Sequence, residues 1–188
     1  MDKNEILYKW IPYRLQSIDS MMWAYNIHDE LSSPREMEIF VDGKKILQGN
    51  VNALLNPMIE VGFIHARSLL EFLGLNAEKG KLVAAKNRRR DDIAIEHFEA
   101  NGAALEKVTP AAALKTYNGP QSEAERSLVS IFELANKGLA HLSNAFPTQY
   151  TNVDLDIAHR GIRTLLHNNL YAKFGMQIPE PPSVPSQK

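Results

Sequence analysis

Cysteine is absent from this 188-residue chain, which rules out disulfide bonds, a thiolate nucleophile and cysteine-ligated zinc. Neither sign of charge is in excess, since 21 Lys and Arg stand against 22 Asp and Glu, for a net charge of −1. This balance gives no general reason to expect a nucleic-acid or membrane partner. No apolar run approaches the roughly 18 residues of a membrane span, and the first ten residues have no apolar signal core. These absences favour a cytoplasmic protein that does not enter a membrane.

Apolar residues at helical spacing dominate what is present, and the strongest such stretch covers 52–75. At about 100° per residue, apolar side chains cover nearly the whole surface of this helix. Only a narrow strip with Glu60, Arg67 and Glu71 stays polar. A helix of this kind is usually the buried centre of a domain. Arg67 is therefore expected to form a structural ion pair, with a flanking glutamate or with the aspartate pair further along the chain.

The same periodicity predicts a first helix over 4–31 and two long final helices over 122–145 and 153–174. Residues 176–188 contain four prolines and almost no apolar periodicity, which predicts a disordered tail. We therefore expect an all-α protein, with a single helical bundle domain of four or five main helices over 1–175 followed by that tail.

The first helix carries more aromatic and apolar bulk than one buried face can hold. The extra residues are Trp10, Tyr13, Met21 and Trp23. Core packing is the favoured interpretation of these side chains. The alternative is an exposed strip that pairs with a second subunit.

Two competing signals follow the first helix. Ser33 suits a helix N-cap and Glu36 can close a capping box, which predicts a helix over 37–48. The dipeptide Asp42-Gly43 lies between two short apolar runs and instead favours a β-hairpin with a tight turn. We weight the helix above the hairpin.

The last predicted helix has the most informative polar surface. Arg160 and His167 are seven residues apart, so two helical turns bring them to one face, and Arg163 stands one turn before His167. Arginine can hold a phosphodiester and stabilise its developing negative charge while histidine transfers the proton. Arg160 and His167 are thus candidate catalytic residues, with Arg163 in support. The alternative is a salt-bridged flank in which Asp156 pairs with Arg160.

A second polar cluster is expected from residues that are distant in the sequence: His65, Arg67, Asp91, Asp92, His97 and His141. Paired aspartates and histidines can hold a metal ion, but no segment has the HExxH or HxH spacing of a metal site. No P-loop, dinucleotide-binding loop, nucleophile elbow or kinase signature is present either. We therefore predict no metal and no cofactor, and binding or structural roles for this cluster.

The basic residues around Arg89 form the strongest local charge cluster, within the polar stretch 77–92. A solvated loop is the favoured interpretation. The alternative is a phosphate-binding patch, although no aromatic residues interleave with the charges as in single-stranded nucleic-acid binding.

The segments NALL at 52–55 and HARSLLEF at 65–72 resemble the "NALLE…HARNLIDF" helix of a family of small bacterial helical proteins. That family has a later "DD" followed by an aromatic residue, matched by Asp91-Asp92 and Phe98, and an "AHLT" segment, matched by AHLS at 140–143. The resemblance implies an all-helical fold and no particular activity.

Arg160 and His167 also resemble, more loosely, the HEPN superfamily of helical toxins and antiphage ribonucleases. Its motif is an Arg and a His separated by four to six residues on a late helix, and Gly161 departs from the polar residue usual after the Arg. The resemblance implies a metal-independent ribonuclease of a defence or toxin system, acting on RNA as a homodimer. The alternative is a non-catalytic helical protein that binds a protein partner through an exposed apolar patch. Whether the protein is an enzyme stays open at this point.

Overall fold

The computed structural model describes residues 2–31, 33, 35–86, 89, 91–136 and 149–179. The helices in these ranges are α1 (Lys3–Glu5), α2 (Ile11–Glu30), α3 (Asn52–Leu73), α4 (Pro110–Lys115), α5 (Gln121–Glu133) and α6 (Asn152–Asn169). The strands are β1 (Glu36–Val41), β2 (Lys44–Asn50), β3 (Leu75–Glu78), β4 (Lys81–Ala84), β5 (Glu99–Ala100) and β6 (Ala103–Ala104). Strand β1 pairs with β2, β3 with β4 and β5 with β6, each pair as a two-stranded antiparallel sheet. The predicted all-α class is therefore wrong, because the fold is mixed α/β, with three small sheets attached to packed helices.

Helix α3 lies at the centre of the fold, as its apolar surface predicts. It packs most extensively against α2 and also contacts α5 and α6. Leu69, Leu70 and Leu73 of its second half are buried in the main core. Val61 and Ile64, near the middle of the helix, remain exposed, so one side of the helix is not covered by the described chain.

The predicted first helix is a continuous helical segment, in which a π-helical turn (Ile6–Trp10) joins α1 to α2. Pro12 lies in the first turn of α2, directly after the π-helical turn, and cannot donate a backbone hydrogen bond to the turn before it. Met21 is fully buried, whereas Trp10, Tyr13 and Trp23 are exposed. The three aromatic side chains are therefore not core residues, and their pairing with a second subunit stays a prediction.

The stretch after α2 is a hairpin of β1 and β2, so the predicted helix over 37–48 is wrong. Asp42 and Gly43 have φ angles of 49° and 74°, and a type I′ turn requires positive φ at both central residues. A helix would instead place Gly43 in its interior, at a cost of about 1 kcal/mol relative to alanine. The β-branched and aromatic residues of 39–41 further favour a strand.

Two further hairpins, β3–β4 and β5–β6, were not predicted. Their turns are Lys79-Gly80 and Asn101-Gly102, and all four residues have positive φ. Asn-Gly is the strongest short-range hairpin signal, so the second of these turns was readable from the sequence. Lys-Gly is a weaker signal, and this is why the basic stretch 77–92 looked like a loop.

Thr151 is the N-cap of α6. The Asp154 carboxylate accepts hydrogen bonds from the Thr151 backbone N–H at 2.8 Å and from its hydroxyl at 3.0 Å. Arg126 of α5 donates to the same carboxylate, with Nε at 3.0 Å from Oδ1. The cap thus also ties α6 to α5. The part of the predicted helix 122–145 beyond residue 136 lies outside the described residues.

The residues that follow α6 pack against the first helical segment. Tyr171, just after α6, is buried, and its hydroxyl donates to the Leu7 carbonyl oxygen at 2.6 Å. Met176 and Ile178, at the start of the predicted tail, pack against the core, while 180–188 lie outside the described residues. None of the described helices combines the length and the apolar character needed to cross a membrane.

Candidate functional site

A cavity of about 560 Å³ opens between the start of α2, the second half of α3 and the loop after β4. Three residues of the predicted polar cluster line it, namely Arg67, Asp91 and Asp92. Arg14 and Arg89 also line it. We refer to this cavity as the arginine cleft. The structure thus brings together half of the predicted cluster and adds Arg14, which the sequence analysis did not single out.

Arg67 forms one wall of the arginine cleft and is tied down on two sides. Its Nε donates to the Glu71 carboxylate at 2.8 Å, and its Nη1 donates to the Asn136 side-chain oxygen. Arg67 therefore pairs with a flanking glutamate, Glu71, as one of the two expected pairings has it, and the contribution of this pair to stability stays a prediction. Because Glu71 balances this charge, Arg67 positions the wall and offers little net charge to a ligand.

Among the described residues, Arg14 is hydrogen-bonded to neutral groups alone. Its Nη1 donates to the Trp10 carbonyl at 3.1 Å and its Nε to the Ser68 hydroxyl at 3.3 Å. Within the described part of the chain, no carboxylate lies within ion-pair distance of Arg14. Burial lowers the pKa of Arg14, but arginine titrates so far above neutral pH that the group stays cationic. In the sequence, Arg14 is a single basic residue among apolar positions of α2, which is a weak indication of a binding site.

The two aspartates of the cleft, Asp91 and Asp92, lie in the loop that follows β4. Asp92 Oδ2 accepts a hydrogen bond from the Arg89 backbone N–H at 2.9 Å, which closes the loop. Both Asp91 and Asp92 are exposed at the rim. In the described ranges, no three His, Asp or Glu side chains are grouped as a metal site requires.

Neither His65 nor His97 lines the arginine cleft. The His65 carbonyl accepts a hydrogen bond from the Ser68 hydroxyl at 2.9 Å, and the His65 ring lies edge-to-face against Tyr13 at 5.4 Å between centroids. Burial lowers the pKa of His65, and the nearby Arg14 charge lowers it further, so this ring is neutral at physiological pH. His97 Nδ1 accepts from the Ala94 N–H at 3.1 Å within a 3₁₀ turn (Ile95–His97). His141 lies outside the described residues.

Of the three candidate catalytic residues on the flank of α6, Arg160 lines a cavity that Arg163 and His167 do not line. Arg160 donates to the Asp156 carboxylate at 2.6 Å, as the salt-bridge alternative expects. Its side chain is nevertheless 64% exposed, and it lines a second cavity of about 260 Å³ with Tyr117 and Thr164. His167 does not line this cavity, and its Nδ1 lies 3.1 Å from the side-chain oxygen of Asn168.

Arg163 has a structural partner on another helix. Both Nε and Nη2 donate to the Asp19 carboxylate of α2, and His159 Nε2 lies 2.7 Å from Asp19 Oδ1. Partial burial by itself would raise the pKa of Asp19, but the hydrogen bonds and charges of His159 and Arg163 outweigh it, so the pKa is lowered. Arg163 therefore links α6 to α2 through an ionised carboxylate, and it is not placed to support His167.

The two faces of the first hairpin differ in polarity. On one face Lys45 donates to Glu38 and to Gln48, and Gln48 in turn donates to Glu36. The Lys45 ammonium also lies 6.0 Å from the centre of the Phe40 ring. The cross-strand pairs Met37–Gly49, Ile39–Leu47 and Val41–Lys44 lie on the opposite face, and the register shift between Ile39 and Phe40 leaves Ile46 unpaired. We call Met37, Ile39, Val41 and Leu47 the apolar hairpin face, with Lys44 at its tip.

Comparisons of the chain with protein-family models, with curated proteins and with solved structures found no match. The two resemblances therefore stay predictions as far as activity is concerned. The wholly helical fold that they imply differs from the mixed class of this structure.

Proposed function

We propose that the protein is a non-catalytic interaction protein, in a cytoplasmic setting, whose apolar hairpin face pairs with a second copy of the same chain. The observation that carries the proposal is the exposure of Val41 and Leu47 on this face, where Met37 and Ile39 are half-buried. Outside the hairpin itself, the main contact of β2 is with α3. An isolated two-stranded hairpin is at best marginally stable in water, so a covering partner would stabilise it.

The distribution of charge favours a second copy as that partner. Glu36, Glu38 and Lys45 lie on the polar face and are held in hydrogen bonds there. On the apolar hairpin face, Lys44 at the tip is the charged side chain of the paired strands. Two copies can therefore stack these faces about a two-fold axis without burying a charge.

Substitution of Leu47 by lysine is expected to convert a dimer into a monomer, because it places a charge at the centre of the stacked faces. Sedimentation equilibrium over a wide concentration range measures this, and circular dichroism checks that the helices are retained. Phe40→Lys is the matched control, since Phe40 is 54% exposed and Leu47 46%, but on opposite faces. A monomeric wild type, or equal dissociation by both variants, would contradict the proposal.

Arg160 favours a second candidate function, metal-independent RNA cleavage by a dimer, because it is both exposed and at a cavity. RNA should then be cleaved in the presence of a chelator. His167→Ala should lower the rate by about 10²-fold, as loss of general acid–base catalysis does. Arg160→Ala should lower it by weaker phosphate binding, and Lys173→Ala, which removes an exposed cation near the chain end, should not. Absence of cleavage between about pH 5 and 8, the range that a histidine samples, would exclude this candidate.

A further inference from the structure

The arginine cleft combines features that the apolar hairpin face does not explain. A half-buried arginine without a carboxylate partner is costly unless something else compensates its charge. Arg14 meets this description in the described chain, and its Nη2 makes no hydrogen bond there. The cleft volume, about 560 Å³, lies in the range of small-molecule sites, roughly 300–1,000 Å³.

The charged side chains of the cleft differ in how deeply they are buried. Arg14 is partly buried, whereas Arg89, Asp91 and Asp92 are exposed. Glu71 is bound to Arg67, so it does not balance Arg14. An anionic group would therefore be held at depth by Arg14, with Arg89 able to reach it from the rim. The rim carboxylates would accept hydrogen bonds from donor groups at the other end of the ligand.

An aromatic wall completes the cleft. Trp10 lines the cavity and is half-exposed, and its carbonyl oxygen holds Arg14 in place one helical turn away. A planar ring can stack on an indole face, and such stacking tolerates any base because every base has a π-face. Asn76, also on the wall, offers an amide that can donate and accept hydrogen bonds.

We propose that the arginine cleft is a binding site for a small ligand of the mononucleotide class, with its phosphate at Arg14 and its base against Trp10. Arginine is suited to the phosphate because its planar fork of donors matches phosphate oxygens. The exocyclic amino group of a base supplies the donor that Asp91 or Asp92 accepts. This site is separate from the proposed dimer face, and its test is independent of the oligomeric state.

Calorimetry with adenosine monophosphate, adenosine and inorganic pyrophosphate tests the proposal on the full chain. The monophosphate should bind, and adenosine should bind at least about tenfold more weakly, since a charge-assisted hydrogen bond contributes about that much. Pyrophosphate should also bind more weakly, because it lacks the stacked ring. Equal binding of pyrophosphate and the monophosphate, or no binding of the monophosphate, would overturn the proposal.

Substitutions inside and outside the arginine cleft test whether the ligand binds there. Arg14→Met should raise the Kd for adenosine monophosphate by at least about tenfold, and Arg35→Met, which removes an exposed arginine beside β1, should leave it unchanged. Arg89→Met should also raise the Kd for adenosine monophosphate. Because Arg89 is exposed, this substitution should not disturb folding. In a Trp23→Phe background the remaining tryptophan is Trp10, and its fluorescence should change on binding. Binding that leaves this fluorescence and the Arg14→Met affinity unchanged would place the ligand elsewhere and overturn the proposal.

Discussion

Gly62→Ala is expected to lower the free energy of unfolding by about 3 kcal/mol, at the upper end of the usual cost of overpacking a core. A Cβ atom at Gly62 would lie 2.2 Å from Met21 Cβ and 2.7 Å from its Cγ. Met21 is fully buried, so its side chain has no free space to move into. The extra methyl group would therefore push α2 and α3 apart. Urea unfolding followed by circular dichroism measures the change.

Gly161→Ala is the matched control, because it makes the same substitution inside another helix. The nearest atom to its added Cβ is Leu128 Cδ2 at 3.8 Å, an ordinary contact. Removing a helical glycine without a clash should stabilise the protein by about 0.5–1 kcal/mol. A Gly62→Ala variant as stable as the wild type would show that α2 and α3 do not approach this closely in solution.

Tyr171→Ala is expected to lower the free energy of unfolding by about 3–5 kcal/mol, the usual cost of removing a large buried aromatic side chain. Tyr171 is fully buried, and burial raises the pKa of its hydroxyl. Tyr171→Phe should cost less, about 1–3 kcal/mol, because it leaves only the Leu7 carbonyl without its hydrogen-bond donor. Thermal or urea unfolding of both variants separates the packing contribution from the hydrogen bond.

Tyr8→Ala serves as the control for this pair, since Tyr8 is 54% exposed. Surface substitutions of this kind usually change stability by less than about 0.5 kcal/mol. Equal effects of the Tyr8 and Tyr171 substitutions to alanine would contradict the burial of Tyr171 against the start of the chain.

Local patterns predicted the helices where one signal was dominant. Helix α3 follows from its apolar periodicity, and Gly74 ends it in a left-handed conformation with φ of 97°. Helix α6 starts one residue before its predicted first residue, and Thr151 and Asp154 form its capping box within four residues of chain. These features depend on neighbours in the sequence, so spacing and residue type are sufficient to find them.

Hairpins were harder to predict because two local signals competed or one was weak. The cap around Ser33 is a good helix start by itself, yet the Asp42-Gly43 turn decided the conformation of the following residues. The choice depends on small differences between local free energies, which a single sequence does not rank. The mixed class of the fold followed from this choice and from the turns at Lys79-Gly80 and Asn101-Gly102.

The sites depended on contacts between distant parts of the chain. Periodicity placed Arg160, Arg163 and His167 on one flank of a helix, but packing against α2 bound Arg163 to Asp19, 144 residues away. Packing of α2 on α3 likewise brought Arg14 to Ser68, 54 residues apart, and opened the arginine cleft beside Trp10. The sequence by itself determined where α2, α3, α5 and α6 form, because helical hydrogen bonds and caps act over a few residues. Which polar groups pair and which remain free for a ligand was decided by tertiary structure, because it depends on which helix faces meet.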